Sequence, residues 1–210
     1  MKNSPRRVCV LASGGFDSAV LIADFLAQGY EVHPLYVRSG FYWERVEMVW
    51  LKRLLKVLAC RRLKPLIVAR SPVSPFLKSH WSLDGRGVPA ASAAWDSVYL
   101  PGRNLLLLGQ AALFCSLRGI PLLAQGLLKN NPFGDATPRF RRLMERTINA
   151  GLDKKIKLAA PYAKLSKDQV LRRVEGFPFE LTFSCLKPRG LRHCGRCSKC
   201  FERERCLVRA

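Results

Sequence analysis

Two clusters of residues carry the chemistry open to this chain. In the first, Cys185 is followed after eight residues by Cys194-Gly195-Arg196-Cys197-Ser198-Lys199-Cys200. Thiolates at C-x2-C-x2-C spacing, with a fourth upstream, close a tetrahedral all-sulfur site of the kind that structural Zn2+ takes. An iron–sulfur cluster would use the same ligand type, but Cys206 sits beyond the spacing such a run needs and no cysteine-proline pair follows. His193 is an alternative ligand, although its adjacency to Cys194 should turn it elsewhere. Arg192, Arg196, Lys199 and Arg203 would offset the charge of four thiolates.

The second cluster is Ser13-Gly14-Gly15-Phe16-Asp17-Ser18. Glycines let the backbone turn tightly, so that amides converge on an anion. A helix starting here adds its unpaired N–H groups and a favourable dipole, and the Ser13 and Ser18 hydroxyls can donate as well. The pattern makes a phosphate cradle, yet it is neither G-x-G-x-x-G nor a loop ending in Gly-Lys-Ser/Thr. Asp17 would repel a phosphate unless a cation lay between them. It therefore either shares a Mg2+ ion with the phosphates or braces the loop. Phe16 is expected to pack behind the loop rather than stack on a base.

The elements that position these clusters follow from apolar periodicity. Residues 8–12 form a short apolar run, and Ala19, Val20, Ile22, Ala23, Phe25 and Leu26 then recur at helical spacing, so the loop joins a strand to a helix. Further strands are expected at 32–37, 65–69 and 121–127, and helices at 43–59, 104–117 and 138–149. Ser166 and Gln169 make a capping box that opens a helix reaching about Glu175. Short apolar runs alternating with helices predict an α/β fold with a doubly wound, mainly parallel sheet. Residues 70–103 are rich in Pro and Gly and read as a lid or insertion. The expected organisation is an α/β domain over 1–183 that carries the phosphate loop, and a four-cysteine tail over 184–210.

Composition narrows the class of partner. Lys and Arg number 36 against 15 Asp and Glu, a formal charge of +21 that favours nucleotides, phosphates or nucleic acid. The longest nearly apolar stretch, 105–117, is shorter than the roughly 20 residues a membrane helix needs. The run at 8–12 is too short for a signal peptide, and clustered metal-spaced cysteines suit a reducing compartment; the expected location is the cytoplasm, with no membrane partner. Cys9, Cys60 and Cys115 read as inert buried or half-buried thiols.

The motif SGGFDS after VCVLA resembles the signature of the PP-loop ATP pyrophosphatases. Together with PGRNLLLLGQAA at 101–112, APYAKLSKDQV at 160–170 and the C-x8-C-x2-C-x2-C run, it resembles the 7-cyano-7-deazaguanine synthase family over nearly the whole chain. The resemblance implies an adenine-nucleotide hydrolase-like fold, a zinc-bearing tail, commonly a homodimer, and ATP-dependent formation of a nitrile from 7-carboxy-7-deazaguanine and ammonia in queuosine biosynthesis. It carries ATP binding onto Ser13, Gly14, Gly15, Asp17 and Ser18, and zinc ligation onto Cys185, Cys194, Cys197 and Cys200. Pro101, Gly102, Arg103 and Asn104 match the segment that borders the active site. The chain departs from the family pattern at 35–44, which contains Arg38 and Trp43, and at 130–140, which contains Asp135.

Candidate catalytic residues are Asp17, Arg103, Asn104, Asp135 and Lys167. Arg103 and Asn104 open a helix after a Pro-Gly turn and can present a cation and an amide, or simply anchor the loop. Asp135 follows a strand end, where open sheets place ligands. Lys167, in the first turn of a capped helix, can reach phosphate or lie on the surface. His33 reads as a strand-edge residue, and His80 with Trp81 either covers a flat base or packs. Two other functions compete: a related adenylating ligase acting on another small molecule, a peptide or tRNA, and a zinc-bearing nucleic-acid binder with a vestigial loop. Lys52, Arg53, Lys56, Arg139, Arg141, Arg142 and Arg146 could hold a phosphate backbone, but no recognised RNA-binding module accompanies them, so tRNA is the less favoured partner.

Overall fold

The computed structural model describes residues 6–129, 131–174 and 176–207. Five strands form one parallel sheet in the order β3-β2-β1-β4-β5. They are β1 (Arg7–Leu11), β2 (Glu31–Arg38), β3 (Ile67–Arg70), β4 (Leu122–Ala124) and β5 (Lys157–Ala159). The expected doubly wound α/β class is what the chain adopts.

Both sheet faces are covered, as a parallel sheet requires. Val8 and Val10 of β1 pack with α1 (Phe16–Ala27) and α2 (Glu44–Val57) through Val20, Leu21, Phe25 and Leu51. Cys9, between them in sequence, faces the other way into Leu108, Ala112 and Cys115 of α4 (Arg103–Arg118) and Ile148 of α5 (Pro138–Leu152). Period-two alternation in one five-residue strand thus divides the core in two.

Several elements differ from expectation. β4 is shorter than 121–127 because the chain leaves the sheet at Gln125, whose N–H still bonds the Ala159 carbonyl. β5 escaped notice: three residues are too few to show a period. The capping box at Ser166 and Gln169 forms as read, but α6 (Lys167–Leu171) ends early, and Glu175 lies outside the described residues. The tail contains a helix, α7 (Ser198–Leu207). Residues 70–103 hold the short α3 (Trp81–Asp84) and pack onto the cysteine segment, Val73 and Leu100 sharing a cluster with Cys185 and Leu186. His33 lies on β2, inside the sheet, and bonds Glu31 at 3.0 Å. His80 caps α3 by accepting from the Ser82 N–H. Cys9 and Cys115 are buried as expected, whereas Cys60 is exposed. Among the described residues no helix is long and apolar enough to cross a membrane.

A buried polar node ties the sheet's later strands to its first helix. Asp24 of α1 accepts bonds of 2.6 Å from both the Tyr162 hydroxyl and Arg173 Nε. Burial and the neighbouring carboxylate hold the Tyr162 phenol well above its usual range, so it stays a donor.

The chain runs outward from β1 through β2 to β3, then returns to the other side of β1 as β4. Crevices at such a reversal, beyond the carboxyl ends of the strands, are where open α/β sheets bind ligands. The loop 13–18 leaves β1 there, and Gly126 follows β4 against it. A Cβ on Gly126 would stand 2.9 Å from the Asp17 carbonyl carbon and 3.1 Å from its oxygen. Because those are backbone atoms, Gly126→Ala should displace the start of α1 and lower the unfolding free energy by about 1–3 kcal/mol. Urea denaturation followed by circular dichroism checks this; an unchanged midpoint would show that the loop yields freely.

Candidate active site and metal centre

The loop after β1 is built by its own side chains. Gly14 takes a φ of +75°, which lets the chain turn beneath α2, with its Cβ position 3.3 Å from Leu51 Cβ. Ser18 donates to the Gly15 carbonyl at 3.2 Å and accepts from the Ser13 N–H at 3.1 Å, so its hydroxyl is spent bracing the loop. The Gly14 carbonyl accepts from the Phe183 N–H at 2.8 Å, which joins the loop to the cysteine segment. Phe16 is buried against Leu171, Phe179 and Cys206, with the charges of Lys167 and Arg203 over its ring.

Lys167 comes from α6 to meet this loop. Its Nζ lies 2.7 Å from Asp17 Oδ2 and 3.2 Å from Glu202 Oε1, and Lys199 reaches the other Glu202 oxygen at 2.8 Å. Burial works against the Lys167 charge, but the two carboxylates more than offset it and hold its pKa above the ordinary value. Burial likewise raises the Asp17 carboxyl, against the opposing pull of Lys167. Asp17 Oδ1 is buried with no hydrogen-bond partner. An orphaned anionic oxygen at the start of α1 fits a hard cation such as Mg2+, which takes carboxylate oxygens.

Asp17, Lys167, Arg103 and Ser13 line one cavity of about 260 Å³, together with Cys185 and Glu47. That is below the roughly 300–1,000 Å³ of sites that enclose a whole drug-sized ligand, so a bound molecule would extend beyond these walls. Arg103 opens α4 with its guanidinium 5.3 Å from the Phe41 ring centroid, and its Nε is buried without a partner. Asn104 and Asp135 stand apart from this lining. Asp135 accepts from the Asn104 backbone N–H at 2.9 Å and from its side-chain amide at 3.2 Å, capping α4 from a distance in sequence. The Gln125 side-chain amide donates to Asn104 Oδ1 at 3.4 Å. A larger groove of about 470 Å³ lies along α5 between Arg139, Arg142 and Arg146, and contains none of the candidate catalytic residues.

Glu47 was not anticipated. It sits in α2 amid basic residues, where an acid reads as one half of a surface pair, yet it is buried and accepts from the Tyr36 hydroxyl at 2.5 Å. Burial lifts its pKa to about 7, against the pull of the Tyr36 bond and the Arg103 charge. Nearby Glu44 organises the departing segment 35–44: it accepts the Ser39 and Gly40 N–H groups and pairs with Arg38 at 3.6 Å.

The four cysteines of the tail come together. Their sulfurs all lie within 4.8 Å of one another, and Cys194 and Cys200 are 3.8 Å apart. Tetrahedral bonds of about 2.3 Å would set sulfurs roughly 3.8 Å apart, so the set fits a zinc-sized ion. Backbone N–H groups of Cys194, Arg196 and Leu186 point at sulfurs of Cys185, Cys194 and Cys197, at 3.2, 3.4 and 3.5 Å. Such bonds orient metal-bound thiolates and spread their charge. His193 is not part of the set; its ring packs 4.4 Å from that of Phe183.

A sequence model of the family described as queuosine biosynthesis protein QueC matches residues 7–210. Curated proteins similar to this chain include the 7-cyano-7-deazaguanine synthase of Gloeothece citriformis, 30% identical with 99% of this chain and 93% of that protein covered. The 7-cyano-7-deazaguanine synthase 1 of Desulfitobacterium hafniense is 29% identical over 206 residues, covering 96% of this chain and 91% of its own length. Among solved structures, a 4-thiouridine synthetase in complex with RNA and bound ATP aligns at a TM-score of 0.54 and 15% identity, over 97% of this chain and 50% of that one, a likeness of fold alone.

Two outcomes follow from this geometry. Metal analysis should find one thiophilic divalent ion per chain, and Cys197→Ser should lose it and lower the melting temperature by about 5–15 °C. Retention of both metal and stability would contradict the four-sulfur centre. For Glu47, the folded pKa of about 7 exceeds its ordinary 4.5, so the folded state keeps a proton that the unfolded chain gives up. Its contribution to stability is therefore present at low pH and lost as pH rises toward 7. Glu47→Gln should stabilise the protein by about 1–3 kcal/mol at pH 8 and far less at pH 5, as read by urea denaturation at both values.

Proposed function

This chain belongs to the queuosine biosynthesis protein QueC family, and we propose that it uses ATP to convert 7-carboxy-7-deazaguanine and ammonia into 7-cyano-7-deazaguanine. The observation that carries this reading is the convergence of Lys167, Arg103 and the loop 13–18 on one cavity. A carboxylate resists ammonia because its leaving group would be oxide. Attack of its oxygen on the α-phosphorus of ATP releases pyrophosphate and leaves a carboxyl-AMP anhydride. Ammonia then forms the C–N bond as AMP leaves and a proton is lost, giving the amide. A second ATP adenylates the amide oxygen; loss of AMP together with the remaining N–H protons yields the nitrile.

In this reading the loop amides and the Ser13 hydroxyl bind the departing pyrophosphate, and Lys167 neutralises charge on the phosphates. Arg103, with its unpartnered Nε, holds the substrate carboxylate in line with the α-phosphorus. Asn104 and Asp135 fix the start of α4 and so aim Arg103. Asp17 Oδ1 would hold Mg2+ against the phosphates, and the ion would supply charge neutralisation for the leaving pyrophosphate. Cys185, Cys194, Cys197 and Cys200 would hold Zn2+, whose part is to fold the tail against the cavity.

Mass spectrometry of a reaction containing the metal-loaded protein, ATP, Mg2+, ammonium and 7-carboxy-7-deazaguanine should show the amide first and the nitrile after it. AMP and pyrophosphate should accumulate in step with product. Lys167→Ala should reduce kcat about 10²–10³-fold, the range for removing one preorganised charge from a transition state. Binding of ATP with formation of neither amide nor nitrile would overturn the assignment.

A further inference from the structure

One side of the cavity is not used by the phosphate chemistry. Trp43 and Glu47 stand four residues apart at the start of α2, on one helical face, and both line the cavity. Trp43 is buried and packed on Phe41 at 5.0 Å and Trp81 at 5.8 Å between ring centroids, which makes the wall beside Glu47 rigid. Glu47 is fixed by the Tyr36 hydroxyl on Oε2. An ionised carboxylate accepts at about four lone-pair positions, so a single O–H bond leaves acceptor capacity. A buried carboxylate in that condition is unfavourable unless donors come to it. In the absence of a ligand the fold supplies a phenol and the field of Arg103.

A 7-deazaguanine presents an edge of matching chemistry. Its ring N–H and 2-amino group are adjacent donors, and its bicyclic face is flat. We propose that Glu47 is the specificity-determining residue for the 2-amino pyrimidinone edge of the substrate, held in place on a wall that Trp43 stiffens. The assignment rests on the function proposed above and deepens it. An ammonium ion is the other cation-like donor a carboxylate could take, but the Arg103 charge acting on Glu47 disfavours a second cation there.

The test compares kcat/KM for 7-carboxy-7-deazaguanine with that for its analogue lacking the 2-amino group, in the wild-type protein, Glu47→Gln and Glu47→Leu. Each protein supplies its own ratio, so a partly folded variant does not distort the result. The wild type should favour the 2-amino compound about 10–100-fold, as expected for one hydrogen bond to a charged group. Both variants should bring the ratio within about threefold of unity, mainly through KM for the 2-amino compound. Unchanged ratios in both variants overturn the proposal. So does a rise in KM for ammonium with the ratio unchanged, which would assign Glu47 to the amine. A wild-type protein that turns over both compounds equally also overturns it while leaving the functional reading intact. One that turns over neither defeats the functional reading itself, and the assignment of Glu47 falls with it.

Discussion

Lys167 is the charge on which the site depends. It bridges Asp17 at the head of α1 and Glu202 in α7, so one ammonium joins the first helix, the sixth and the tail. The three side chains are only partly buried, yet removing the ammonium would leave two carboxylates facing one another with little water between them. The three segments are therefore held to one arrangement, which is the arrangement that makes the cavity. The capping box at Ser166 and Gln169 fixes the first turn of α6, and the lysine's position with it.

The cysteine segment belongs to this arrangement as much as the loop does. Cys185 lines the cavity that Lys167 enters, and the Phe183 N–H is spent on the Gly14 carbonyl. Residues 70–103 close over the same region: the Ser198 N–H bonds the Pro89 carbonyl at 3.0 Å, and Ala90 bridges Cys197. The tail is thus ordered by its gathered sulfurs, by the cluster it shares with Val73 and Leu100, and by the loop 13–18. A change at the sulfurs should be felt at the loop, because the Phe183 N–H that bonds the Gly14 carbonyl lies two residues from Cys185.

Chemistry written in adjacent residues was legible in the sequence; chemistry assembled across it was not. The SGGFDS loop, the C-x2-C-x2-C run and the Ser166 box each lie within a few residues, so spacing alone exposes them. Lys167 could be named, but its partner Asp17 is 150 residues away and no local pattern links them. The same holds for Asp135, which looks like a free carboxylate at a strand end and is found capping α4 through Asn104. His80 looked available to a base and caps a four-residue helix that composition had hidden. β5 and α7 were missed for opposite reasons: one is too short to show a period, the other too charged to show a core face.

Glu47 shows why such a residue is hard to read. In α2 it follows Glu44 and Arg45 and precedes Lys52 and Arg53, a context that predicts a solvated charge. The fold instead turns it inward beside Tyr36, where burial raises its pKa and weakens the protein as the pH climbs toward 7. A glutamine would fill the same space without that penalty, so packing does not account for the acid. What a carboxylate has and an amide lacks is two equivalent acceptor oxygens with a negative charge; the Tyr36 hydroxyl uses one of them, which leaves capacity for a ligand bringing N–H donors. A destabilising acid on the wall of a cavity is the pattern expected where recognition, not stability, has fixed the residue.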